Sequence, residues 1–207
     1  LSMLSDPMFR QESTQTFVHL LPRISSSSFI LFLVSVLASF TSFTVLHDAV
    51  HRSVSSSLFI NNMIGRLAAP LLGPTAISFV AFRYVHLTHH KYANDPKLDP
   101  DYYSSNTEIP LYLRPLRWIS QDMNYHRIYL SHAKDHPLSE TIVLVATEVI
   151  AFSMCIYISI YTAYGGILWR YWILPSRVAI LLLGFSFDYL PHAYLESTPQ
   201  TNKYKTT

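Results

Sequence analysis

The sequence predicts an all-α membrane protein with about three transmembrane helices, an interfacial helical hairpin and a cytosolic cap that carries clustered histidines. Half of the 207 residues are apolar and 14% are charged, whereas about 25% are charged in typical soluble domains. Apolar runs lie near residues 29–46, 141–163 and 167–188. Each run approaches or reaches the roughly 20 residues that a helix needs to cross a bilayer. The net charge of +2 gives no indication of nucleic-acid binding.

The chain is predicted to begin with a polar lead-in over residues 1–28, followed by one membrane domain over 29–207. The lead-in has no charged segment followed by an apolar core, so it does not resemble a signal peptide. The run 29–46 is apolar apart from Ser and Thr, and we expect a retained transmembrane helix there. The first residue is Leu1 rather than Met, so we expect the chain to start inside a longer protein.

Two histidine motifs end apolar stretches of the chain. The first is His-Asp-Ala-Val-His at residues 47–51, and the second is His-Leu-Thr-His-His at residues 86–90. Residues three and four positions apart share one face of an α-helix, so the imidazoles of each motif should project side by side. Such clusters suit a first-row metal such as iron or zinc. A single H-x-x-x-H is more often an interfacial or core pair, but two motifs at the ends of apolar segments favour a metal site.

The segment between the motifs, residues 52–85, is predicted to form a hairpin that does not cross the membrane. If both motifs bind one metal centre, they lie on the same side, and the link crosses twice or not at all. Two crossings need about 40 apolar residues, but only 34 residues are available, and Asn61 and Arg66 are among them. We therefore expect a helical hairpin that lies on or dips into one leaflet and bends at Pro70 and Gly73.

The chain after the second motif is less informative. Residues 91–101 contain Asn-Asp-Pro and Asp-Pro-Asp, which are typical of turns. We interpret them as a solvated loop, although their acidic side chains could form a docking face. Residues 102–139 suit amphipathic segments at the headgroup level. His126, His132 and His136 lie there, and since no apolar helix positions them we do not expect them to bind metal.

The last two apolar runs are predicted to cross the membrane and return. Glu148 lies inside the first of them, where an ionisable group is costly, so it should face a cavity or a partner. A Gly-Gly pair at 165–166 marks the turn. The return helix delivers Asp188, a candidate to hold water or orient an imidazole, and His192, a candidate sixth metal ligand. Pro191 disfavours a regular helix at this point.

The distribution of basic residues indicates the topology. Nine Lys and Arg residues lie within residues 52–140, whereas only Arg170 and Arg177 lie between the last two crossings. The positive-inside rule therefore places the histidine motifs on the cytosolic side of an integral membrane protein.

The motifs at residues 47–51, 86–90 and 187–192, with Asn-Asp-Pro and Asp-Pro-Asp behind the second, resemble those of the membrane fatty-acid desaturase superfamily. Bacterial fatty-acid desaturases and β-carotene hydroxylases are the most similar in pattern. The resemblance implies two non-haem irons (Fe) that use dioxygen and two electrons to attack an unactivated C–H bond. It also implies a lipid substrate, either a fatty-acyl chain or a carotenoid, and a reduced electron carrier, either a ferredoxin or a b-type cytochrome. The metal ligands it implies are His47, His51, His86, His89, His90 and His192, with Asp48 and Asp188 as acceptors for imidazole N–H groups.

Two departures from the family pattern lead us to expect a C-terminally incomplete chain. Relatives often continue Pro-His-Arg-Pro, whereas this chain has Pro-His-Ala-Tyr at residues 191–194. The third motif of the family, a second H-x-x-H-H, is expected downstream of this point but does not occur before Thr207. Six ligands are few for two irons, so we expect part of the iron site to be missing.

The function expected from the sequence is dioxygen-dependent desaturation of a fatty-acyl chain by a di-iron oxidoreductase. Three alternatives stay open: a β-carotene or carotenoid ring hydroxylase, an inactive fragment, and a non-catalytic membrane protein that binds metal. The last predicts ligands along the spans rather than at their ends. A Ser-His-Asp arrangement, a Gly-rich phosphate loop and a Cys-based zinc motif are not apparent in the sequence.

Overall fold

The chain is built from helices and turns. A computed structural model describes residues 26–74 and 78–194, and it contains no β-strand within these ranges. The predicted lead-in lies mostly outside the described residues, as does the chain after residue 194. The helices are α1 (Ser26–Val50), α2 (Leu58–Ala68), α3 (Phe79–Tyr92), α4 (Tyr102–Ser105), α5 (Arg114–Trp118), α6 (Gln121–Ser131), α7 (Leu138–Tyr161) and α8 (Gly165–His192). Short 3₁₀ turns lie at Ala69–Leu72, Leu111–Leu113 and Ala133–Asp135.

Three helices are long and apolar enough to span a membrane, as the sequence predicted. Helices α1, α7 and α8 have 25, 24 and 28 residues and mean hydropathies of 2.3, 2.1 and 1.5. At 1.5 Å per residue, each is longer than the roughly 30 Å of a hydrocarbon core. Only 6% of the most apolar window of α7 is buried inside the protein, and the remaining surface suits contact with lipid. The predicted all-α membrane fold is confirmed.

Both ends of α8 differ from the expectation. The helix begins at Gly165, which was predicted to lie in the turn. A Cβ atom at Gly165 would lie 2.9 Å from the carbonyl oxygen of Ser159, so glycine allows the start of α8 to pack against the end of α7. At the other end, the backbone widens into a π-helical turn over Gly184–Tyr189, and the helix continues past Pro191 to His192. An irregular turn of this kind tolerates the missing amide of a proline.

Helix α2 runs back along α1, and this arrangement forms the predicted hairpin without a crossing. The side-chain amide of Asn61 donates to the carbonyl oxygen of Ala49 at 2.6 Å. The hydroxyl of Ser39 donates to the carbonyl oxygen of Leu71 at 2.9 Å. The two contacts lie ten residues apart on each segment, so α2 and the 3₁₀ turn that follows it run antiparallel beside the spanning helix. The chain turns back at Gly73, whose φ of +113° is readily adopted by glycine.

The main apolar core fixes the ends of α1 and α3 relative to each other. It forms where these helices meet α2, α6 and α8. Its most buried side chains, each no more than 2% exposed, are Leu46, Leu72, Phe79, Phe82 and Val85. Burying a side chain of this size contributes roughly 1.5–3 kcal/mol. This packing places the histidines that follow Leu46 on α1 and Val85 on α3 within reach of one another.

A buried ion pair joins α6 to the spanning helix α8. The guanidinium of Arg177 donates to both carboxylate oxygens of Asp122, at 3.1 and 2.5 Å, and to the carbonyl oxygen of Ile119. The Asp122 side chain is fully buried, and that of Arg177 is 17% exposed. A two-point contact of this kind fixes orientation as well as distance. It therefore holds α6 in place against the transmembrane helices.

Replacing Arg177 with methionine is expected to destabilise the protein by about 3 kcal/mol, since it leaves a buried carboxylate without its cation. The matched control is Glu140→Gln, which removes the half-exposed pair of Glu140 with Arg83 at 3.7 Å. That pair should contribute less than about 1 kcal/mol. Unfolding in detergent, followed by circular dichroism, measures both. Equal losses for the two variants would contradict the role given to the buried pair.

Candidate metal centre

Four histidines converge where α1 and α3 end. His47 lies in the last turn of α1 and His51 directly after it, while His86 and His90 lie one turn apart on α3. One ring nitrogen from each lies within 4.8 Å of the others. The Nε2 atom of His86 is 3.0 Å from that of His51 and 3.0 Å from that of His90. We call these four residues the four-histidine cluster.

In this cluster the ring nitrogens approach one another more closely than hydrogen bonds between neutral imidazoles can explain. A neutral imidazole has one N–H donor and one acceptor nitrogen, so the Nε2 of His86 forms a single in-plane hydrogen bond, yet two other Nε2 atoms approach it equally closely. Burial, together with the neighbouring imidazoles of which His90 has the largest effect, lowers the pKa of His86 to about 2. A neutral imidazole is the form that binds metal. The donor set therefore fits a cation at the centre of the cluster.

A second pair of imidazoles, His89 and His192, lies beside the cluster and is held from behind. The rings are 4.8 Å apart and nearly perpendicular. The Nδ1 of His89 contacts a carboxylate oxygen of Asp99 at 2.8 Å and one of Asp101 at 3.2 Å. The Nδ1 of His192 contacts the side-chain oxygen of Asn94 at 3.0 Å. Each ring thus uses Nδ1 for orientation and leaves Nε2 as the nitrogen that can bind a metal.

The carboxylates behind His89 change its electrostatics. Burial alone would lower the pKa of His89, but the charge of Asp101 and the hydrogen bond and charge of Asp99 raise it to about 9. Such a carboxylate–imidazole contact fixes the tautomer and makes the other ring nitrogen a more basic ligand. A metal at Nε2 would replace the proton that this nitrogen otherwise carries.

Asn94 connects the two histidines of the second pair. Its backbone lies in the left-handed region with φ of +65°, and it is only 7% exposed. Its amide N–H donates to Asp99 at 2.7 Å, while its side chain contacts His192 from the far end of α8. One loop therefore orients one ligand from α3 and one from α8. Asparagine suits this position because it tolerates the left-handed region better than most residues.

If the candidate site binds a metal, replacing Asn94 with glycine should weaken that binding about tenfold, since His192 loses its orienting contact. Replacing it with alanine should also destabilise the fold by roughly 1 kcal/mol more than glycine does, because alanine is strained at a positive φ. Iron affinity, measured by anaerobic titration, separates the side-chain effect from the backbone effect. Unchanged iron affinity in the glycine variant would contradict the role given to the amide.

Phenylalanine rings pack against one side of the four-histidine cluster. The ring of Phe82 stacks on His86 with centroids 5.1 Å apart, and Phe43 lies 6.1 Å from His47. Phe187 of α8 lies 5.5 Å from Phe43 and is 49% exposed. The cluster is thus bordered by an apolar surface on the side from which α1 enters. Sequence reasoning missed this surface, because single phenylalanines inside apolar runs carry no distinguishing pattern.

Comparison with known proteins identifies the family. The family model described as fatty acid desaturase matches residues 26–207. The chain belongs to the fatty acid desaturase family. One curated relative, the sn-1 oleoyl-lipid 12-desaturase of Picosynechococcus sp. (strain ATCC 27264 / PCC 7002 / PR-6), is 41% identical over 54 residues. That match covers 26% of this chain and 14% of the relative's length. No solved structure matches.

Some of the described acidic side chains of this desaturase-family chain have a burial or a contact that the sequence did not predict. The loop 91–101 was interpreted as solvated, which is wrong for Asp99 and Asp101: they are 7% and 5% exposed and hold His89. Asp48 lies 3.4 Å from the Nδ1 of its neighbour His47. Asp188 is 9% exposed, its polar neighbours include Ser104, Asp99 and Asp101, and none of the described hydrogen bonds joins it to an imidazole.

The remaining described histidines lie outside the four-histidine cluster and the pair formed by His89 and His192. His126 contacts Glu148 at 3.0 Å, and this contact gives Glu148 the partner that its position in a span requires. Burial alone would lower the pKa of His126, but the hydrogen bond to Glu148 raises it overall. His136 stacks on Tyr129 with ring centroids 4.3 Å apart, and His132 contacts the carbonyl oxygen of Ile128.

Proposed function

We propose that this chain carries the iron-binding part of a dioxygen-dependent desaturase that acts on a fatty-acyl chain of a membrane lipid. The observation that carries the proposal is the convergence of four imidazoles from α1 and α3, in a chain that belongs to the fatty acid desaturase family. The curated relative is named as a desaturase of an oleoyl lipid, and this supports an acyl chain rather than a carotenoid as the substrate.

The residues present fit iron in two places. His47, His51, His86 and His90 would hold one iron, and His89 with His192 would supply two ligands to a second. Imidazole nitrogen is a suitable ligand for iron, and the Nε2 separations of 3.0 Å in the cluster match adjacent ligands that are about 2.1 Å from a shared metal. When bound, the irons would supply the activation of dioxygen that side chains cannot perform. The second pair needs ligands beyond the two histidines to complete a coordination shell.

The protein would contribute orientation and an apolar approach for the substrate. Asp99 and Asp101 hold His89, and Asn94 holds His192, so the second pair keeps a fixed geometry. Phe187, which is 49% exposed, would contact the methylene groups of an acyl chain that enters from the bilayer, while the buried Phe82 would keep His86 in place. The reaction would remove two hydrogens from the acyl chain and reduce dioxygen to two waters. It takes up two further electrons and two protons.

We place the metal site on the cytosolic side. The nine basic residues within 52–140 support this orientation. The six histidines lie at or just after the C-terminal ends of α1 and α8, or on α3, which packs against the end of α1. A soluble electron carrier such as a ferredoxin or the soluble domain of a b-type cytochrome would reach the site from this side.

The test is expression of the gene in a host that makes both acyl lipids and β-carotene, followed by mass spectrometry of lipids and pigments. The proposal predicts new double bonds in acyl chains and unchanged pigments. Hydroxylated carotenoids with unchanged acyl chains would contradict it in favour of a ring hydroxylase. No change in either class, from a chain that is shown to hold iron, would contradict it in favour of a non-catalytic role.

A further inference from the structure

A polar groove lies on the face of α3 that points away from the four-histidine cluster. It has a volume of about 580 Å³ and is formed by α3, the loop after it and α6. Its basic side chains are Lys97, Arg117, Arg127 and His132, and we call it the cationic groove. Among the described residues that line it, Asp99 is the only acidic one, and the Asp99 side chain is fully buried. The groove therefore presents positive charge to the solvent.

The arginines of the groove are held by neutral groups, so their charges stay uncompensated. Arg117 donates to the carbonyl oxygen of Tyr103 at 3.0 Å and lies over the ring of the same tyrosine at 4.7 Å. Arg127 donates to the side-chain oxygen of Asn124 at 2.7 Å. None of the ion pairs formed by the described residues involves either arginine or Lys97. A partner that carries negative charge complements this surface.

The composition of the groove is that of a protein interface. Tyrosine and arginine are enriched at such interfaces relative to the rest of a protein surface. The groove combines two arginines with four tyrosines, namely Tyr84, Tyr92, Tyr102 and Tyr103. Its lining comes from residues 84–132, outside the three spanning helices. A soluble partner can therefore reach the groove, and a lipid headgroup is the competing occupant that mixed nanodiscs distinguish.

The base of the groove leads directly to a proposed metal ligand. Asp99 lines the groove and at the same time contacts the Nδ1 of His89 at 2.8 Å. A protein seated in the groove would thus be separated from His89 by the thickness of one loop. The residues that line three other described cavities include neither Asp99 nor Asp101.

We propose that the cationic groove is the docking surface for an acidic one-electron carrier protein, which delivers electrons to the metal site past Asp99 and His89. The proposal rests on the proposed function. Each carrier is oxidised by one electron, and two reduced carriers supply the two electrons that the desaturation of one acyl chain requires in addition to those from the substrate. Negative charge on the carrier would steer its encounter with the groove.

The test measures association of an acidic plant-type [2Fe–2S] ferredoxin with the iron-loaded chain in phosphatidylcholine nanodiscs. The variants are Lys97→Glu, which alters an exposed side chain, and the double variant Lys97→Glu with Arg127→Glu. The control is Arg170→Glu, which makes the same charge change as the single variant but lies near the start of α8, at the other end from His192. We expect the double variant to slow association about tenfold at low salt, the single variant to slow it less, and the control to match the wild type.

Three results would overturn the docking proposal. The first is equal association of ferredoxin with all variants, and the second is slowing by the control to the same extent as by the double variant. The third is a double variant that retains less phosphatidylglycerol in mixed nanodiscs while binding ferredoxin normally, which would assign the groove to a lipid headgroup. Failure of the proposed function gives a different pattern, because ferredoxin would then bind in a groove-dependent manner to a chain that desaturates no lipid.

Discussion

Under the proposed function, replacing His86 with alanine is expected to abolish lipid desaturation and to remove most of the bound iron. His86 is the central member of the four-histidine cluster, since two other Nε2 atoms lie 3.0 Å from its own. Its loss would leave His51 and His90 without the nitrogen that lies between them. We expect a decrease of at least about 100-fold in the double bonds formed by the expressing host, because even the loss of a residue that only orients a metal ligand costs about 10–100-fold in comparable metal sites.

The control for this change is His132→Ala. His132 is an exposed histidine outside the four-histidine cluster and the pair formed by His89 and His192, and its ring contacts the backbone of Ile128 and the hydroxyl of Ser131. This variant should keep its iron and form double bonds at the wild-type level. Iron content is measured on the purified protein, and double bonds are measured by mass spectrometry of host lipids. Retained activity in the His86 variant would rule out the cluster as the metal site.

Replacing Asp99 with asparagine is expected to lower iron affinity and turnover by roughly 10–100-fold. The carboxylate accepts from three donors: the Nδ1–H of His89 at 2.8 Å, the amide of Asn94 at 2.7 Å and the amide of Asp101 at 2.9 Å. An asparagine offers one acceptor oxygen and turns an N–H group towards a donor. Both His89 and the loop that holds His192 would then lose their support.

The pH dependence of stability provides a second measurement on the same variant. In the metal-free protein the pKa of His89 is raised to about 9, above the ordinary value of about 6.5. The interaction of protonated His89 with the carboxylates therefore makes its full contribution to the free energy of unfolding below pH 6.5. This contribution is lost as the pH rises towards 9. Asp99→Asn should reduce the decline in stability of the metal-free protein between pH 6.5 and pH 9. Asp95→Asn is the control, since Asp95 accepts only from turn amides of Lys97 and Leu98 in the described contacts. An equal effect of both variants would contradict the proposed role of Asp99.

The sequence was sufficient to predict the elements that depend on local pattern. The long apolar runs predicted α1, α7 and α8, and the limited length of residues 52–85 predicted a hairpin without a crossing. Helical spacing indicated that His47 would lie near His51 and that His86 would lie near His90, because these pairs are one turn apart. These predictions need only periodicity, length and composition, which a single sequence contains.

The details of the candidate site depended on contacts between distant segments, and the sequence could not supply them. Asp99 occurs in a stretch of turn residues, which usually indicates solvent exposure, and its burial depends on α6 covering the loop. His89 belongs to the same motif as His86 but faces a different partner, His192, which is 103 positions later in the chain. Glu148 was expected to need a partner, but no local pattern identified His126 as that partner.

The most direct test of the central claim is an anaerobic titration of the purified chain with Fe(II), followed by X-ray absorption spectroscopy at the iron edge. The four-histidine cluster predicts saturable binding of at least one tightly held iron per chain, with a first shell dominated by imidazole nitrogen. The His86→Ala variant should lack this iron. A chain that retains no iron, or a tight site that is unchanged in the His86→Ala variant, would contradict the claim that these histidines form the metal centre.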